Sequence, residues 1–268
     1  METFLKNLID INSDLILVVL LALFFTLEQF FDRSNNLKKR AEHLFHGIVL
    51  QVGNIIVNIA IASVFVVCFV WIEKHHIGLL NIVSVPYSLK IIIGILSVDF
   101  AFYWTHLWYH KIEIFWRLHR VHHSDIQMDS STVYRFHPLD ALLNMATNVL
   151  AGAIFGLDIN IIAISWILYI PLFILQHSSI KFPIWTDKFF GNIFVTPNFH
   201  KVHHHQDQKF TDSNYGNMFI FWDKLFGTFK TLPVNEIKFG LIEFETKERQ
   251  TLWYLLKSPF LDVKKVDK

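Results

Sequence analysis

Long apolar runs constrain this chain more than any other feature of its sequence. Residues Ser13–Phe31 read SDLILVVLLALFFTLEQFF, close to the ~20 apolar positions a helix needs to cross a bilayer. A second run covers residues 48–72 and a third covers 89–106. Residues 139–155 and 159–175 form a hairpin about Gly156-Leu157-Asp158, with Pro171 placed to kink the second arm. Hydrocarbon offers the backbone no hydrogen-bond partner, so such runs fold as helices that satisfy their own N–H and C=O groups. The expected fold class is therefore all-α: an integral membrane helical bundle of four to five transmembrane spans, the hairpin either crossing or re-entering. The first run has neither a basic leader nor a small-residue cleavage site, which marks it as a retained span. Composition agrees, with 53% hydrophobic and 18% charged residues, against roughly 45–50% and about 25% in ordinary globular domains.

Charge sets the expected orientation. Arg33, Lys38, Lys39 and Arg40 follow the first run, and the positive-inside rule assigns them to the cytoplasm. Counting crossings from there puts residues 106–138, and everything after Gln176, on that same side. A net charge of +1 gives no reason to expect nucleic acid as a partner, and the single cysteine, Cys68, excludes an internal disulfide and a cysteine-based zinc site. The length and the lack of organellar signals point to a bacterial inner membrane, or to the endoplasmic reticulum in a eukaryote. Three regions are expected: N-terminal spans over residues 1–90, a histidine-rich helical cap carried by residues 91–232, and a cytoplasmic tail over 233–268. In the tail, residues 246–257 (TKERQTLWYLLK) suit a short amphipathic helix, with Leu252, Trp253 and Leu256 turned to the membrane surface or to the protein itself.

The anomaly is the 15 histidines. His106 and His110 form HxxxH, which puts both imidazoles on one helical face. His119, His122 and His123 form HxxHH, and the pattern recurs as His200, His203 and His204, where Thr196-Pro197 supplies a helix N-cap and first position. Imidazole suits iron, zinc, copper and nickel. Eight such ligands are too many for one ion and fit two, with about four each and room for an exogenous ligand. His177, ending the fifth run in QHSS, is a ninth candidate. His137 in RFHP and His205 are candidates to bind metal or to orient a ligand, and Asp99, Asp207 and Asp212 are carboxylates able to hold a ligand's distal N–H. His43, His46, His75 and His76 read as surface or hydrogen-bonded histidines. A metal transporter would carry its ligands at mid-membrane on several spans, and a haem carrier would pair histidines across two spans. Neither needs two HxxHH clusters at span ends.

These clusters and their flanks are DFAFYWTHLWYH, FWRLHRVHHSD, TPNFHKVHHHQD and SNYGNMFIFWDKLFGTF. Over residues 99–229 they resemble the fatty acid hydroxylase/sterol desaturase superfamily, and most of all its alkylglycerol monooxygenase-like and bacterial sterol-desaturase-like branch. The RFHP segment departs from the alkylglycerol branch. The resemblance implies a di-iron centre of two iron ions held by His106, His110, His119, His122, His123, His200, His203 and His204, with His177 beside them. It also implies O2 as co-substrate and a membrane lipid as substrate: a sterol, a fatty acyl chain or an ether lipid. Hydroxylation is the expected reaction and desaturation the second outcome. The sequence holds no HPGG-type haem segment, GxGxxG loop or cysteine-rich iron–sulfur motif. Electrons are thus expected from an external redox partner: a reductase, a ferredoxin, a cytochrome or a reduced pterin.

Overall fold

A computed structural model describes residues 13–31 and 37–262. Arg33 of the basic run and residues 263–268 of the tail lie outside the described residues. The described chain is helical, with no β-strand and only isolated bridges at Phe194–Phe219 and His205–Phe239.

Helix α1 spans Ser13–Phe31 and α2 spans Leu37–Lys74. With 38 residues, α2 extends about 57 Å, nearly twice the ~30 Å of bilayer hydrocarbon. Its first turns, which carry Lys38, Lys39 and Arg40 of the basic run, continue the apolar run at 48–72 as one helix. The short α3 (Leu79–Ile82) leads to α4 (Tyr87–Lys111), which returns the chain. One residue of extended backbone, Ile112 at φ −102° and ψ 116°, then redirects it into α5 (Glu113–His123). The hairpin pairs α6 (Asp140–Phe155) with α7 (Ile159–His177). Gly156 closes α6 in the left-handed region at φ 75°, and the Asp158 side chain caps α7 by accepting from the backbone N–H groups of Asn160 and Ile161.

Among the described residues three helical stretches are long and apolar enough to cross a membrane: Leu37–Ile82, Tyr87–Lys111 and Ile159–His177. Helix α6 and the Val18–Phe30 part of α1 are apolar but shorter. The exposed face of α2 identifies the solvent, because Ile59 is 71% and Val67 66% exposed. A continuous apolar surface of this kind is stable against lipid and not against water. Between the long helices lies one core, which includes Phe69, Val98, Phe102, Leu157, Ile161 and Tyr169. Gly94 lets α4 lie directly on α7, since a Cβ there would come within 2.4 Å of the Ile161 side chain.

Short helices α8 (Ile184–Phe190), α9 (Pro197–His203), α10 (Gln208–Thr211) and α11 (Phe221–Phe226) build the cap. The tail packs over it. Leu50, Trp116, Val121, Leu241, Phe244 and Leu255 form a second core, so the tail helix α12 (Leu252–Lys257) is partly buried against the protein. Within α12 only Trp253, 71% exposed, faces fully outward. Arg120 donates to the backbone carbonyls of Ser258 and Leu261, and Arg135 to Gln250, which locks the tail onto α5.

One buried carboxylate ties four segments together. Glu28 of α1 pairs with Arg40 of α2 at 2.5 Å. Its oxygens also accept from the Ser130 N–H, the Ser130 hydroxyl and the Ser179 N–H. Arg40, one of the basic residues assigned to the cytoplasmic side, is 2% exposed because Glu28 compensates it, whereas Lys38 and Lys39 are exposed. Removing one partner of a buried pair strands the other charge. Glu28→Ala should therefore cost about 3–5 kcal/mol of stability, measured by denaturant unfolding in detergent. Glu113→Ala, which breaks the exposed pair with Arg117, should cost at most about 0.5 kcal/mol.

Candidate metal centre

Three helices and one helix end deliver the histidines. His106 and His110 lie on the last turns of α4, His119, His122 and His123 on α5, and His200, His203 and His204 on or just after α9. Thr196 caps α9 by accepting from the Phe199 N–H, with Pro197 at the first helical position, as the sequence predicts. His177 is the last residue of α7. Together they form two buried groups whose ligand atoms lie within 4.8 Å of one another: His106, His110, His119, His123 and His203 in the first, and His122, His177, His200 and His204 in the second.

Each HxxHH cluster is shared between the groups. At 100° per residue, positions i and i+4 point about 40° apart while i+3 lies about 60° to the other side. His119 and His123 therefore face the first group and His122 the second; His200 and His204 face the second and His203 the first. The groups abut, with the His123 and His204 rings stacked at 4.5 Å between centroids.

Backbone carbonyls fix the ring orientations. The Nδ1–H of His106 donates to the Tyr215 carbonyl at 2.8 Å, that of His177 to Phe173 at 2.6 Å, and that of His203 to Ser213 at 2.7 Å. Nδ1 carries the proton in all three, so each Nε2 presents only its lone pair. Nε2 of His177 nevertheless lies 3.1 Å from Nε2 of both His122 and His200, and one lone pair cannot satisfy two neighbours. In the first group His119 Nε2 lies 3.2 Å from Nε2 of both His106 and His123, and Nε2 of His203 meets no protein partner. Protons are too few to bridge these contacts. Metal cations between the rings would satisfy them, and the donor set fits iron or another imidazole-binding metal. Burial first, then the crowding of neighbouring imidazoles, holds His119, His122, His123, His200, His203 and His204 well below the ordinary histidine range. They are neutral, the form that ligates metal.

A cavity of about 580 Å³ opens from this centre between α2, α4, α6 and α7, with His106, His119, His122, His177 and His200 in its wall. Tyr109 stacks on His119 and Phe136 on His122, with centroids 4.7 and 4.1 Å apart.

The other candidates fall elsewhere, with one exception. Asp212 lies 3.3 Å from Nδ1 of His110. Burial pushes its carboxyl up, but His110 and Lys111 beside it outweigh this and hold it at about 2. Asp99 instead accepts from the Met218 and Phe219 N–H groups and from the Trp222 indole, pinning the 213–229 segment to α4. Asp207 caps α10 through the Lys209 N–H. His137 bonds the Leu256 carbonyl, and His205 accepts from the Asp207 N–H; neither joins a group. His43 is partly buried in a hydrogen-bond network with Asp125 and Ser131. Sequence reasoning searched for carboxylate orienters and missed the carbonyls of Phe173, Ser213 and Tyr215. Two of those carbonyls, Ser213 and Tyr215, are held by the fold of their own loop: Asn214, at φ 52°, bonds the Phe199 and Lys230 carbonyls, and Asp223 accepts from the Tyr215 and Gly216 N–H groups.

Residues 91–228 match the family model described as fatty acid hydroxylase. The chain belongs to that family. Human alkylglycerol monooxygenase is 30% identical over 151 residues, which is 50% of this chain and 29% of that protein. Ornithine lipid hydroxylase OlsE of Rhizobium tropici is 28% identical over 55% of this chain and 44% of its own length. Human lathosterol oxidase is 29% identical over 54% of this chain and 48% of its own. The chain thus spans less than half the length of each of these relatives. No solved structure matches it.

All nine clustered histidines lie inside the stretch that matches the fatty acid hydroxylase family, whereas Glu28, Arg40 and the α2 wall of the cavity lie before it. The contrast between two carboxylates tests the geometry. Asp212→Ala should weaken metal binding about 10–100-fold by freeing His110, read by competition with a chelator, while Asp207→Ala should leave affinity unchanged.

Proposed function

We propose that this chain is a membrane-bound, non-haem di-iron oxygenase that hydroxylates an unactivated C–H bond of a lipid, using O2 and electrons from an external donor such as a reductase or a reduced pterin. His106, His110, His119, His123 and His203 would hold one iron ion, and His122, His177, His200 and His204 the other. The observation that carries this reading is nine buried imidazoles in two abutting groups at the wall of a largely apolar cavity between membrane helices. The same donor set would bind zinc, but the oxygen chemistry in the relatives' names requires a redox metal, which zinc is not. Bound iron supplies O2 activation and removal of a hydrogen atom from an alkyl carbon.

The chain's own residues supply the rest. Carbonyls of Phe173, Ser213 and Tyr215 hold three imidazoles in their ligating orientation, and the Phe136 and Tyr109 rings shield two more from water. The cavity lets an insoluble lipid reach the histidines laterally from the bilayer. Names of the relatives support a lipid substrate: alkylglycerol, ornithine lipid and lathosterol. Insertion of one oxygen atom consumes O2, two electrons and two protons and releases water. Lathosterol oxidase among the relatives keeps removal of two hydrogens as a second outcome. We read the histidine end as cytoplasmic, since the exposed Lys38 and Lys39 lie at that end of α2.

Turnover under 18O2, with iron-loaded protein in lipid discs and a chemical reductant, tests the reaction by mass spectrometry of the lipids. One 18O atom in a lipid product is expected. A product two hydrogens lighter and unlabelled would replace hydroxylation by desaturation, and an unaltered lipid pool with fully loaded protein would contradict both.

A further inference from the structure

The cavity wall is divided in a way that metal chemistry does not explain. Deep in the membrane it is apolar, lined by Ile61, Phe65, Ile159, Ile162 and Trp166. Towards the histidines it is lined by side-chain amides, among them Asn54 and Asn58 of α2 and Asn144 and Asn148 of α6. Polar groups cost free energy inside a membrane unless they meet partners, and three of these amides partly do. Asn58 donates to Asn54 at 2.8 Å, and the Tyr109 hydroxyl lies 3.5 Å from the Asn144 side-chain oxygen.

Asn148 differs. It is 4% exposed, and its Nδ2 donates to the Asn144 carbonyl at 2.8 Å, which fixes which end of the amide is which. Its Oδ1 is then an oriented acceptor with no protein donor. Its neighbour Thr147 bonds Thr105, the residue before His106, at 2.9 Å, so Asn148 stands level with the metal centre. Among the described residues no Asp, Glu, Lys or Arg lines the cavity. A charged headgroup would lie there uncompensated, whereas a neutral donor would satisfy Asn148.

We propose that Asn148 is the specificity-determining residue of this cavity: its side-chain oxygen accepts a hydrogen bond from a hydroxyl group of an uncharged long-chain lipid. The hydrocarbon of that lipid lies against the apolar wall, and the anchored hydroxyl sets which carbon faces the histidines. Phosphate or zwitterionic headgroups stay outside. An ether or ester oxygen does not serve, because it only accepts. This inference rests on the cavity being the substrate site of the oxygenase proposed above.

Binding without turnover separates the two claims. Full-length, iron-loaded protein in lipid discs is titrated under argon with a radiolabelled long-chain primary alcohol and with its methyl ether. Wild-type protein should prefer the alcohol about tenfold, the worth of one satisfied buried acceptor. Asn148→Leu should bind both alike; Asn148→Ala is the second variant should leucine not fold. Equal affinity in wild type, or a preference that survives in the variants, overturns the proposal. Protein that binds the alcohol selectively but never oxidises it would contradict the oxygenase reading and leave Asn148 in its role.

Discussion

Imidazole lone pairs that converge in a buried space repel one another unless cations stand between them. Nine do so here, in two groups, and most of the architecture can be read as the means of forcing that convergence. Histidine is seldom so crowded, because burial and mutual repulsion both oppose it. The fold answers by making the rings immobile and uncharged. Three are held by carbonyls that admit only one tautomer, and His110 is oriented by Asp212.

Rigidity at the centre is supplied from outside it. Asp99 and Asp223 anchor the loop that carries the Ser213 and Tyr215 carbonyls. Arg120 and Arg135 fasten the tail over α5. Glu28 and Arg40 draw α1 and α2 against the turn at Ser130. Metal ligands need placement within a fraction of an ångström, and helices braced in this way hold it better than loops.

Much of this was legible in the sequence. Apolar runs gave the helical membrane bundle, and HxxxH and HxxHH spacing brought eight histidines together; His177 joined them because its run ends at their depth. Thr196-Pro197 marked the start of α9. Other features left no signal. Carbonyl orienters belong to every residue, so nothing distinguishes Phe173 or Ser213 in advance. Asp99 looked like an orienter from its position before His106, yet its contacts depend on how residues 218–222 fold back, which is tertiary information. The pairing of Arg40 with Glu28 left no signal either, because Glu28 lies in an apolar run. His137 and His205 stood close to the clusters in sequence but are drawn off by Leu256 and Asp207.

The claim on which the rest depends is that the two imidazole groups are two adjacent metal sites. The most direct measurement is the metal-to-chain ratio of protein loaded anaerobically with ferrous iron, by elemental mass spectrometry, repeated on His177→Ala. The account predicts about two irons per chain, falling towards one when the second group loses His177. A ratio near one in the unaltered chain, or no change on removing His177, would contradict it.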